Sequence, residues 1–181
     1  GPLGEAYIAA AETDMKKAAD TPEKPEGAYA IFGEVAAAFK TLGDTDQARF
    51  AVTGAPVGEQ YEVGNKVCQD FALATLAVDK DTGALTQTSN DTSLRNFTIP
   101  GGVQVDGLGE GINILVPAGT DITRLTPTFD IHEKSTVTPA KGPQDFTDSI
   151  TYTVTAEVGT TKDYVVTVIL QGPGSPADQA A

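Results

Sequence analysis

Tryptophan is missing from this chain of 181 residues, cysteine and histidine occur once each, and 12 lysines and arginines stand against 25 acids. Each shortage excludes something. A single thiol, Cys68, cannot close an internal disulfide, and it reads as a small buried apolar residue, the usual fate of a free cysteine. One histidine, His132, rules out a metal site built on paired imidazoles and leaves any serine triad dependent on that residue. It sits out of phase with Phe129 and Ile131, which predicts that it faces solvent. The formal charge of -13 repels nucleic acid and anionic lipid, so neither is expected as a partner. No run approaches the roughly 20 apolar residues of a membrane helix, and no membrane insertion by these residues is expected. No serine stands in a Gly-x-Ser-x-Gly elbow.

What is present is clearest in the last third. Ile150, Tyr152, Val154 and Ala156 alternate with Thr151, Thr153, Thr155 and Glu157, the pattern of a strand with one dry and one wet face. A turn around Gly159 leads into Tyr164–Leu170, apolar on both faces, which suits a central strand. Upstream, Ile112, Ile114 and Val116 alternate and stop at Pro117, which has no N–H for a ladder. Ala118-Gly-Thr-Asp121 makes a turn, and Phe129 and Ile131 begin another strand. Short strands punctuated by Gly and Pro favour a sandwich over a parallel α/β sheet.

The pattern Ile112-x-Ile-x-Val-Pro-Ala-Gly-Thr-Asp-Ile-Thr-x-Leu-x-Pro-x-Phe129, continued by Val137-x-Pro139, Asp145-Phe146 and Ile150-x-Tyr-x-Val-x-Ala-Glu-x-Gly-Thr-Thr-Lys-x-Tyr164, resembles an immunoglobulin-like module of bacterial surface proteins. The resemblance covers about residues 97–170 and departs at Val158, where such modules carry an acid before the turn glycine. It implies a repeat-like module of secreted or lipid-anchored proteins, beside glycan-active domains, with no catalytic residues of its own.

The N-terminal part is patterned differently. Residues 1–4, Gly-Pro-Leu-Gly, read as the remnant of a removed purification tag. Residues 5–19 predict a helix with a thin stripe of Ile8 and Met15, and Tyr29, Phe32, Ala36, Phe39 and Leu42 predict a second over 28–42, stopped by Gly43. The two form a helical hairpin expected to dock on a following sheet. Arg49–Thr53 and Phe71–Val78 read as strands, and Asp79–Gly83 as a hairpin turn into Ala84–Thr88. Residues 63–76 also satisfy helical spacing; strand is taken and helix remains the alternative. The fold class is thus an α+β unit over residues 5–93, helical hairpin plus short strands, followed by an all-β immunoglobulin-like sandwich over 94–170. A Gly/Pro/Ala linker, 171–181, suggests a parent that continues.

Few residues promise chemistry. Asp79, Asp81 and Asp91 are candidate calcium ligands, because a hard cation wants several converging oxygens, but Ala84 and Asn90 stand where an EF-hand needs Gly and Glu, and an ordinary turn is preferred. Gly107-x-Gly-x-Gly111 has the outline of a phosphate loop without the lysine or the following helix, so an interstrand turn is preferred. Most Tyr and Phe residues fall on helix or strand core faces; Tyr61, in the polar run Gly58–Val63, is the best one left over and is the candidate for stacking a sugar, with packing the alternative. No cofactor is expected. The reading is a non-catalytic module of a secreted or surface-anchored bacterial protein, serving as spacer or docking domain for its neighbouring domains. Two alternatives stay open: a module adhering to an extracellular glycan or protein, and an accessory domain of a glycan-active enzyme.

Overall fold

The computed structural model describes residues 28–172, in two compact units that divide between Asp91 and Thr92. The expected helix over 5–19 lies outside the described residues, and with it half of the expected hairpin. In the first unit, helix α1 spans Gly33–Lys40 and α2 spans Asp46–Thr53, followed by strands β1 Tyr61–Val63, β2 Lys66–Asp70, β3 Ala74–Asp79 and β4 Leu85–Ser89. The strands form an antiparallel meander in chain order. The run expected to be helix or strand at 63–76 is therefore strand, interrupted by a turn at 64–65 and a second at 71–73.

Helix α1 is shorter than its periodicity predicts. Its Phe32 cap is extended and Gly33 takes φ +57, and the preceding backbone is tied to the sheet by side chains. Gln69 Nε2 donates to the Ala30 carbonyl and Gln60 Nε2 to that of Phe32. Tertiary hydrogen bonds thus displace the helix's first turn. The apolar face survives: Val35, Ala36 and Phe39 are buried, with Glu34 and Lys40 outside. Helix α1 lies on the face of the sheet that carries Val67, Leu76 and Val78, and Phe39 stacks on Phe71 with centroids 5.9 Å apart.

The strand expected at Arg49–Thr53 is instead helix α2. Thr45 caps it, its side chain accepting from the Ala48 N–H, Asp46 sits in the first turn where the dipole favours an acid, and Gly54 at φ +70 ends it. The expected strand Phe71–Val78 begins at Ala74; Phe71 makes only an isolated bridge with Pro56.

The second unit holds β5 Arg95–Thr98, β6 Val103–Gln104, β7 Ile112–Val116, β8 Thr128–Asp130, β9 Thr136–Thr138, β10 Ile150–Thr155 and β11 Thr161–Leu170. One sheet runs β6-β7-β11-β10-β9 and the other pairs β5 with β8. Strand β11 is central, antiparallel to β10 and parallel to β7. The sheets face each other across one core in which Phe97 and Phe129 stack at 5.6 Å and Tyr152 meets both edge-on. The alternation along β10 is as expected: Tyr152 and Val154 are buried and Thr151 is exposed. Gly111, at φ +86, is required where β7 enters, because a Cβ there would stand 2.5 Å from the Val165 carbonyl oxygen.

Candidate functional site

The pleat of the first sheet decides which side chains share its open face. Strand β2 turns Val67 and Gln69 toward α1 and therefore Cys68 and Asp70 to the opposite side. The register sets Tyr61 beside Cys68, Cys68 beside Ala77, and Ala77 beside Thr86, one row across four strands. A second row, one pleat along, runs Asp70, Thr75 and Thr88.

Tyr61 dominates this face. It is 40% exposed, and among the described residues it is the one aromatic that is open to solvent. Its hydroxyl donates to Asp70 Oδ1 at 2.7 Å, two residues along β2 from its register partner. The ring therefore lies along the strand, over Cys68, which is 5% exposed. Thr75 Oγ1 donates to the same carboxylate oxygen at 2.9 Å and accepts from Asn90 Nδ2 at 3.3 Å. Asp70 is thus oriented from two sides, and its Oδ2 accepts no hydrogen bond from any described residue. Desolvation first, then the hydrogen bond and charge of Asp70, push the Tyr61 phenol up to about 12. The Cys68 thiol is raised too, by burial and then by Asp70, against the opposing pull of Lys66. That disfavours the thiolate a nucleophile needs.

The three aspartates considered for calcium do not converge. Asp79 Oδ1 accepts from the Asp81 and Thr82 N–H groups, which hold its carboxyl below the ordinary carboxylate value, and Asn65 Nδ2 bridges Asp79 and Asp81. Asp91 lies buried beyond the other end of β4, its N–H on Ser89 Oγ. Among the described residues no three His, Cys, Asp or Glu side chains gather as a metal site requires. Gly107, Gly109 and Gly111 all take positive φ in a loop that leads into β7 rather than a helix. His132 is half-buried rather than fully exposed, because its Nδ1 turns back to accept from the Lys134 N–H at 3.0 Å. No helix of the described residues is long and apolar enough to cross a membrane.

Sequence reasoning reached Tyr61 but not Asp70, Thr75 or Asn90. Their only signal is the register of the meander, which depends on where the turn at 71–73 falls.

Residues 94–168 match the family model described as SGBP, N-terminal, a glycan-binding protein domain. No curated protein matches the chain. Among solved structures, one similar protein is from Bacteroides thetaiotaomicron and provisionally described as a glycoside hydrolase; identity is 33%, TM-score 0.38, and 46% of this chain aligns with 27% of that one. The chain thus spans little more than a quarter of that protein's length. A second, provisionally described as a secreted protein of Bacteroides fragilis, shows 19% identity and TM-score 0.29 over 52% of this chain and 84% of its own.

Proposed function

We propose that this chain is a non-catalytic glycan-binding accessory module of a secreted or surface-anchored bacterial protein. The observation that carries the reading is the match of residues 94–168 to a domain of glycan-binding proteins. The charge of -13 favours a neutral glycan over an anionic one, since a polyanion would be repelled. Within the matched unit Phe97, Phe129, Phe146 and Tyr152 are buried and Tyr164 is half-buried, its hydroxyl on the Thr92 carbonyl. Sugar stacking needs an exposed ring, so this unit serves as scaffold and spacer. Its seven strands in two sheets support the immunoglobulin-like reading, although five and two is a different split from the common four and three.

The test is an array of neutral and anionic polysaccharides probed with the whole chain, paired with a reducing-end assay on every polysaccharide bound. Saturable binding of a neutral glycan without release of new ends is the expected result. Turnover of the bound polymer, or no glycan binding at all, overturns the reading.

A further inference from the structure

We propose that the open face of the first unit's sheet is the surface that contacts the glycan, with Tyr61 as the stacking platform and Asp70 as the acceptor for sugar hydroxyls. The inference rests on the glycan-binding reading above and adds to it a place and a ligand chemistry: a neutral pyranose chain presenting a C–H face and a vicinal diol.

Four observations converge on it. Tyr61 is the exposed aromatic of the described residues, and its tether to Asp70 lays the ring along the sheet, so that one face rests on β2 and the other is open. A ring so fixed loses little freedom on stacking against a sugar, which is where such contacts gain over a mobile side chain. Asp70 is held by Tyr61 and Thr75 through one oxygen only, which leaves Oδ2 for an incoming hydroxyl. A charged acceptor makes a stronger bond to a hydroxyl than a neutral one. Beyond Tyr61 the row continues through small side chains, Ala77 and Thr86, and the neighbouring row adds the Thr75 and Thr88 hydroxyls. The result is a shallow polar floor, bounded at one edge by an aromatic ring, that is wider than a single sugar. Finally, an anionic sugar would meet Asp70 unfavourably, which narrows the ligand to neutral chains.

The experiment uses the whole chain and isothermal titration with a panel of neutral oligosaccharides: β-1,3- and β-1,4-glucans, α-1,4-glucan and α-mannan. Tyr61→Ala is expected to weaken the best binder by about tenfold or more, a loss on the scale of one aromatic contact. Tyr61→Phe keeps the ring but frees it from Asp70, so it should cost less than Tyr61→Ala, about threefold, and Asp70→Asn should cost about fivefold. Because Tyr61→Ala also uncovers Cys68, Thr86→Arg serves as a second variant: an exposed residue with a bulky substitute that blocks the floor without touching the Tyr61 tether. Unchanged affinity in both Tyr61→Ala and Thr86→Arg overturns this inference and leaves the glycan-binding reading standing. Failure of the unaltered chain to bind any neutral oligosaccharide overturns both.

Discussion

The two units reach a dry interior by different means. In the first, a helix of two turns covers one face of a meander, and the seam is closed by a polar residue: Gln69, fully buried, donates to the Ala30 and Gly58 carbonyls and accepts from Gln60. In the second, two sheets close on each other through interlocked rings, Phe97, Phe129 and Tyr152, set among aliphatic side chains such as Ile114, Val116 and Val166, and one buried polar atom, the Tyr152 hydroxyl, finds no partner among the described residues. The comparison teaches that a thin helix-on-sheet layer needs hydrogen-bonded struts to define its edge, whereas interlocked aromatic sheets tolerate an orphan hydroxyl.

Four tests, three of single substitutions and one of the acid response, would break or sharpen that contrast. The largest effect is expected from Phe39→Ala, which removes a ring packed between Phe50 and Phe71. A loss of about 3–5 kcal/mol should appear in the calorimetric transition of the first unit only. If both transitions move, the units are not energetically separate. Gln69→Leu comes next: filling the volume but leaving the half-buried Ala30 and Gly58 carbonyls without this donor should cost about 1–3 kcal/mol in the same transition. A neutral outcome would remove the strut from the argument. Tyr152→Phe should act in the opposite sense, leaving the second unit unchanged or raising its stability by up to about 1 kcal/mol in chemical denaturation, because it deletes a desolvated hydroxyl that has gained nothing. A clear destabilisation would mean that the hydroxyl is hydrogen-bonded after all.

The smallest effect concerns acid. Asp79 in the first unit and Asp121 and Asp145 in the second have depressed carboxyl values: Thr82 and Asp81 N–H groups hold the first, and the hydroxyl and N–H of Thr123 and of Thr147 hold the others. A folded value below the unfolded one stabilises the fold above the unfolded value of about 3.9 and is lost as pH falls through the folded value. Asp121→Asn with Asp145→Asn should therefore flatten the acid side of the second unit's stability profile below about pH 4, and Asp79→Asn that of the first. An unaltered slope would show these exposed turns to be energetically silent.

The sequence foretold the second unit well because its strands bury on a period of two: Tyr152 and Val154 inward, Thr151 outward, with Pro117 ending β7. The first unit was less legible. Arg49–Thr53 has the composition of a strand, and the helix is signalled instead by the cap upstream, Thr45-Asp46, and by Gly54 at its end. The extended run before Gly33 was hidden because its apolar spacing is equally good for a helix; what decides it is Gln69, distant in sequence and polar, which no periodicity marks as core. At the open face, Tyr61 could be found by elimination, but the pairing that brings Asp70 under its hydroxyl belongs to register and not to composition.

Strand β11 has a mechanical consequence. Over Val166–Leu170 it pairs along β7, and over Thr161–Val166 along β10, and the Gln171 N–H carries the β7 pairing one residue further to the Val116 carbonyl. A tension applied lengthwise to this strand cannot peel it from one neighbour bond by bond; it must slide past two, straining many hydrogen bonds at once. A module wired this way is expected, when pulled along β11, to give way cooperatively rather than stretch by degrees.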